Sequence, residues 1–71
     1  MVDKYKKYDK DMSLNIYYHN VCKCLVLFFD YYPEYAVRDA KKYMDMIKEY
    51  FKSKETIYDC ALEIRLSDIC G

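Results

Sequence analysis

Glycine and proline almost never interrupt this chain of 71 residues. The one glycine is Gly71, the last residue, and the one proline is Pro33. Because tight turns with positive φ and glycine-rich phosphate loops both depend on glycine, the chain has few places for either. The sequence therefore predicts a few long elements joined by short links, and it excludes a P-loop.

The length and composition predict a single domain. With 71 residues, 54% of them apolar, the chain can build one small core, whereas a dinucleotide-binding sheet or a (β/α)₈ barrel needs a far longer chain. Residues 1–11 mix charges and tyrosines without an apolar period. We therefore expect one helical domain over residues 1–71, in which residues 1–11 form a weakly ordered arm.

A polar stripe defines the first predicted helix, from Leu14 to Tyr32. Its members lie about four residues apart, and Leu27 fills the one gap in the stripe; they are Asn15, His19, Lys23 and Asp30. The opposite face is apolar, which is the pattern of a helix that lies on a core. Ser13 or Asp11 can cap its first turn.

Pro33 ends this helix and can open the next, because its fixed φ and missing N–H cost nothing in a first turn. From residue 34 to about residue 53 the apolar side chains occupy a wide arc, with Asp39 alone at its edge. The sequence predicts one helix over this range. We assign Asp39 and Asp45 to its solvated face.

The segment from Thr56 to Cys70 fits two patterns. Apolar residues alternate with polar ones, as in a half-buried strand, yet Thr56, Asp59, Glu63 and Ser67 also form a stripe at helical spacing. A lone strand needs a pairing partner, and no other segment of the chain is better interpreted as a strand than as a helix. We therefore predict an all-α fold, a small three-helix bundle, with an α+β fold that uses this segment as a strand as the alternative.

The aromatic content predicts association. Ten tyrosines and three phenylalanines give more apolar surface than three short helices can cover, and an exposed apolar patch usually marks an interface. A second copy would also stabilise so small a core, so we expect a homodimer with a two-fold contact. The residues predicted to bind a partner are apolar side chains at the edge of the core: Tyr17, Tyr18, Tyr35, Tyr43, Met46 and Tyr50.

No constellation in the sequence favours catalysis or metal binding. His19, Cys22 and Cys24 lack the spacing of a zinc site, and Cys60 and Cys70 lie far away. One histidine and no glycine-rich turn leave a hydrolase without an oxyanion hole. We predict no catalytic, cofactor-binding or metal-binding residue, and we expect the cysteines to be free thiols.

Charge and residue usage narrow the partner and the compartment. Twelve basic and twelve acidic residues cancel, so no long-range field attracts nucleic acid or a membrane. The apolar run Val21–Phe29 contains Lys23 and is too short to span a bilayer. With no signal-peptide pattern, we expect a cytoplasmic protein. A lysine-rich, arginine-poor composition favours an AT-rich source such as a virus, a phage or a low-GC microbe, and a viral source would place the protein in the host cytoplasm or nucleus.

These observations favour a non-enzymatic protein–protein interaction module that binds and modulates a larger protein, a host factor if the source is viral. The alternative is a small helical regulator that binds DNA or RNA through lysines interleaved with tyrosines, such as Lys4, Lys7 and Tyr8. Neighbouring aspartates weaken that alternative. Binding to a duplex that falls steeply with salt would distinguish it.

Overall fold

Four helices surround one core in the computed structural model, which describes residues 11–70 without the side chain of Cys70. They are α1 (Leu14–Phe29), α2 (Pro33–Lys42), α3 (Met44–Lys52) and α4 (Ile57–Cys70). The all-α prediction is confirmed. Since residues 11–70 contain no strand, the strand alternative for the C-terminal segment is wrong, and the helix count is four instead of three. The predicted N-terminal arm lies outside the described residues, apart from Asp11.

Helix α1 begins where its local chemistry predicts. Ser13 has extended backbone angles, and its hydroxyl accepts a hydrogen bond of 3.2 Å from the Ile16 N–H, which satisfies one donor of the first turn. The helix ends at Phe29, earlier than predicted, because Asp30 takes a left-handed conformation with φ 59°. Its N–H then bonds to the Leu25 carbonyl and closes the last turn.

Pro33 opens α2, as predicted. Tyr32 before it is extended, and the Tyr32 carbonyl accepts the Ala36 N–H at 2.9 Å as the first bond of the new helix. Only three residues separate α1 from α2, so the two helices form a tight hairpin.

The predicted helix over residues 34–53 is divided at Tyr43. This residue has φ −104° and ψ 29°, outside helical geometry, although hydrogen bonds continue through the break. The Tyr43 N–H bonds to the Asp39 carbonyl at 2.9 Å, and the Tyr43 carbonyl accepts the Ile47 N–H at 3.0 Å. The bend lets the wide apolar arc follow the core, because Ala36, Ala40 and Ile47 are all fully buried on it.

A short link joins α3 to α4. Lys54 is left-handed with φ 60°, and its N–H bonds to the Phe51 carbonyl at 3.2 Å. The Thr56 hydroxyl accepts the Asp59 N–H at 3.1 Å and caps α4. The tight reversal is therefore built without glycine.

Helix α1 is the centre of the fold and contacts each of the other three helices. Small side chains let its neighbours approach closely: Ala36 and Ala40 on α2, and Cys60 and Ala61 on α4, are fully buried. The buried apolar core consists of Tyr17, Val21, Cys24, Leu25, Ala36, Ala40, Ile47, Ile57, Cys60, Ala61 and Ile64.

Asp39 is not on a solvated face, so that part of the sequence interpretation is wrong. Its relative exposure is 1%. Asp39 lies one turn after Ala36 and therefore shares the face of α2 that packs inward. Asp45, in contrast, is exposed on α3.

Candidate protein-binding surface

One flank of α1 remains open towards α2. A cavity of about 410 Å³ lies there, between the second half of α1 and the first half of α2. Cys22, Val26 and Leu27 line it from α1, and Pro33 and Val37 line it from α2. Leu27 is 62% exposed, so a large apolar side chain stands at the edge of an apolar cavity.

A second cavity, of about 470 Å³, continues the open flank towards the start of α1. Leu14 and Tyr18 of α1 face Met44 across it, at the junction of α2 and α3. Its border is polar, with Lys41 and Lys48 beside the apolar centre.

The two cavities share one face of α1. Leu14, Tyr18, Cys22 and Val26 follow at intervals of four residues, which places them in one row along the helix. At 1.5 Å per residue this row is about 18 Å long. We call the two cavities together the lysine-bordered groove, because Lys23, Lys41 and Lys48 line it and none of its described lining residues is acidic.

The interior of the groove carries no charge at neutral pH. Burial raises the pKa of the Cys22 thiol, and burial followed by the neighbouring Cys22 raises the pKa of Tyr18. Both groups therefore keep their protons, and the charge of the groove resides in the three lysines.

The outer face of α4 presents a second apolar feature. Leu62, Leu66 and Ile69 lie at i, i+4 and i+7, and we call them the α4 stripe. Leu66 and Ile69 are 47% and 63% exposed. Beside the stripe, the Tyr50 hydroxyl donates a hydrogen bond of 3.3 Å to the Glu63 carboxylate and joins α3 to α4.

Tyr17, one of the predicted partner-binding residues, lies in the core with 1% relative exposure. Its hydroxyl donates to the carbonyls of Glu55 and Thr56 at 3.0 and 3.2 Å, and its ring meets Phe51 edge to face at 5.4 Å. Tyr17 therefore fastens the α3–α4 link to α1 and offers no surface to a partner.

The other five predicted residues do not form one surface. Tyr18 lines the lysine-bordered groove, and Tyr50 lies beside the α4 stripe. Tyr35 is exposed on α2, Tyr43 is half-buried at the helix break with the Lys42 ammonium 5.3 Å from its ring centroid, and Met46 is half-buried against the core.

Sequence reasoning missed most of the groove. Val26, Leu27 and Val37 were not among the predicted binding residues. Leu27 had a visible signal, since it is the one apolar residue that interrupts the polar stripe of α1. The sequence gives no signal that Val37 is exposed, because its position in the apolar arc predicts burial. In the structure Val37 is 40% exposed.

The described cysteines are free thiols: Cys22 is half-buried, and Cys24 and Cys60 are buried. No cluster of three or more potential metal ligands occurs within residues 11–70. His19 is exposed, with its ring 5.4 Å from that of Tyr18.

Comparison of the chain with protein-family models, with curated proteins and with solved structures found no match. Over the described part of the chain, no helix has both the length and the hydropathy needed to cross a membrane.

Proposed function

We propose that this chain is a non-enzymatic protein–protein interaction module whose lysine-bordered groove binds an apolar helix of a larger protein. One observation carries the proposal: a row of apolar side chains is accessible along α1, flanked by helices that hold it in place. Such grooves bind the apolar face of an amphipathic helix in a recurring mode of peptide recognition.

The charges of the groove define the chemistry of the guest. Lys23, Lys41 and Lys48 border an apolar centre, so a complementary helix carries leucine or phenylalanine on one face and aspartate or glutamate at its edges. A groove of about 18 Å accommodates about three turns of such a helix.

Two features support a binding role without catalysis. The raised pKa of Cys22 keeps its thiol protonated, whereas a cysteine nucleophile acts as the thiolate. His19, the only histidine, is exposed and faces a tyrosine ring instead of an acid that would orient it.

A synthetic helix tests the groove directly. The probe is a peptide of about 14 residues with leucines along one face and glutamates at the edges, and its matched control carries lysines in place of the glutamates. We expect the acidic peptide alone to bind and to shift the NMR signals of Tyr18, Val26 and Val37. Equal binding of both peptides, or shifts confined to α4, would contradict the proposal.

Two substitutions on α1 complete this test. Leu27→Ser removes a side chain at the edge of the groove, whereas Ile16→Ser removes one of similar exposure, 50%, that does not line it. We expect only Leu27→Ser to weaken binding.

A photo-reactive residue at position 27, with position 16 as control, then identifies the larger protein in a host lysate. If the chain is instead retained on duplex DNA with a steep salt dependence, the nucleic-acid alternative replaces this proposal.

The second part of the proposal is a homodimer formed through the α4 stripe. The stripe combines half-buried Leu62 with exposed Leu66 and Ile69, a spacing that a two-fold helix pair buries, and none of the three lines the groove. Sedimentation equilibrium should show a dimer for the native chain and for Ile16→Asp, and a monomer for Leu66→Asp. If the native chain is a monomer at every concentration, the proposed homodimer is contradicted, whereas the proposed binding of a helix in the groove is unaffected.

A further inference from the structure

The lysine-bordered groove consists of two cavities that meet without merging. We call the cavity of about 410 Å³ the Val37 cavity and the cavity of about 470 Å³ the Met44 cavity, and the two have no lining residue in common. All of their lining residues except Ala36 keep accessible surface, so a guest can reach both cavities from solvent. Cavities of this size can hold a complete aromatic or branched side chain. The groove therefore offers two positions for large side chains instead of one continuous trough.

The distance between the two cavities follows from the row on α1. Leu14 and Tyr18 line the Met44 cavity, whereas Cys22 and Val26 line the Val37 cavity. The centres of these two pairs, at positions 16 and 24, are about 12 Å apart along the helix.

This distance selects one spacing on a guest helix that lies along α1. Side chains at i and i+7 are about 10.5 Å apart and point within about 20° of the same direction. Side chains at i and i+4 span only about 6 Å, and those at i and i+11 span about 16.5 Å. The i, i+7 spacing is therefore the one that places one side chain in each cavity.

The two cavities differ in their charged groups. Lys23 is the one charged side chain among the described residues that line the Val37 cavity. The Met44 cavity has two, Lys41 and Lys48, with the Asn15 amide beside them. Because two ammonium groups attract a carboxylate more strongly than one, the acidic residues of a guest belong beside the side chain that enters the Met44 cavity.

We propose that the lysine-bordered groove recognises a partner helix by two large apolar side chains that stand seven residues apart. One enters the Val37 cavity, and the other enters the Met44 cavity with glutamate or aspartate beside it. Large side chains that fill pockets usually provide most of the binding energy of an interface. This inference rests on the proposed function and adds the pattern that distinguishes a guest from other acidic amphipathic helices.

Three synthetic helices test the spacing against the whole chain. Each peptide has about 18 residues, with two phenylalanines, two glutamates beside the second phenylalanine, and alanine or glutamine elsewhere. The phenylalanines stand at i and i+4, at i and i+7, or at i and i+11, and a side-chain lactam on the outer face keeps all three peptides helical. We expect the i, i+7 peptide to bind at least about tenfold more tightly than the other two.

The outcome separates this inference from the proposed function. Equal affinities of the three peptides would overturn the inference and leave the proposed function intact, because the groove would then bind acidic helices without selecting a spacing. Absence of binding by all three peptides would contradict both.

A substitution in the Val37 cavity shows which phenylalanine enters it. Alanine in place of the first phenylalanine should cost about tenfold in affinity with the native chain and about threefold or less with Val37→Ser, which has lost part of the apolar wall. Alanine in place of the second phenylalanine should cost the same in both chains. Val37 is 40% exposed, so the substitution spares the core. Equal losses in both chains for the first phenylalanine would overturn the placement.

Lysine variants test the position of the carboxylates. Lys41→Gln and Lys48→Gln should each weaken binding of the i, i+7 peptide a few-fold, whereas Lys23→Gln should weaken it less. Lys52→Gln makes the same change of net charge at an exposed position that lines neither cavity, and it should bind as the native chain does. Equal effects of Lys23→Gln and Lys41→Gln would contradict the placement of the acidic residues beside the Met44 cavity.

Discussion

The two flanks of α1 differ in how completely a neighbouring helix covers them. On one flank α4, with 14 residues, brings Cys60, Ala61 and Ile64 against α1 and buries all three. On the other flank α2, with 10 residues, contributes Ala36 and Ala40 to the core and leaves Val37 exposed. The same helix thus forms a closed flank against α4 and an open flank against α2.

This difference shows that an apolar face does not by itself specify burial. Ala36 and Val37 are neighbours in the apolar arc of α2, yet Ala36 is fully buried and Val37 is 40% exposed. The length and direction of the neighbouring helices decide which of them enters the core. Substitutions on the two flanks should therefore separate stability from binding.

The largest expected contrast is between two adjacent tyrosines. Tyr17→Ala on the closed flank should lower the free energy of unfolding by about 3–5 kcal/mol, since a fully buried ring is lost together with the hydroxyl proton that the Glu55 and Thr56 carbonyls share. Tyr18→Ala on the open flank should cost about 1 kcal/mol. Chemical denaturation of both variants measures the difference. Equal losses in the free energy of unfolding would contradict the distinction between the closed flank and the open flank.

Alkaline pH should weaken the closed flank next most strongly. Burial raises the pKa of Cys24 to about 11 and that of Cys60 to about 12, from an ordinary 9.0. Above pH 9 the unfolded chain loses these protons while the folded chain keeps them, so stability falls until pH reaches the folded pKa values. Taken one thiol at a time, the shifts of about two and three pKa units correspond to losses of about 3 kcal/mol for Cys24 and about 4 kcal/mol for Cys60 between pH 9 and 12.

Urea titrations at successive pH values check this prediction. Cys60→Ala should flatten the alkaline decline, although it lowers stability at neutral pH through the cavity it leaves. Cys22→Ala, on the open flank, should flatten it less. If Cys60→Ala and the native chain decline in parallel, the buried thiols are not the cause.

The smallest effect should come from the links that position the two flanks. Lys54, in the α3–α4 link, is left-handed, and a β-carbon makes that conformation costly. Lys54→Gly should raise the unfolding free energy by about 0.5–1 kcal/mol. Asp30→Gly, in the α1–α2 link, should gain less, because aspartate tolerates this conformation better. Thermal unfolding of both variants measures the gains, and a destabilised Lys54→Gly would contradict the explanation.

Helix starts were predictable because their chemistry is local. Ser13 accepts a hydrogen bond from its own first turn, and Pro33 needs no donor in its position, so neither depends on distant residues. The break at Tyr43 was not predictable, because no glycine or proline marks it. It is associated with the way α2 and α3 follow the core, which is a tertiary effect.

The candidate site was predicted less well than the fold, for a related reason. Helical periodicity places Tyr17 on the apolar face of α1. It does not show that the Tyr17 hydroxyl donates a hydrogen bond to the carbonyls of Glu55 and Thr56. Asp39 stood at the edge of the apolar arc, which was a signal of burial that the assignment to a solvated face overlooked. Periodicity identifies a face, and only the packed neighbours reveal what covers it.

The central position of α1 fixes the number of residues in it. Deleting one residue between Tyr18 and Val26 would rotate the rest of the helix by about 100°. That rotation would turn the row that lines the groove away from α2 and would move Cys24 and Leu25 off the core. Relatives of this chain should therefore vary in the lengths of their links while the spacing within α1 stays constant.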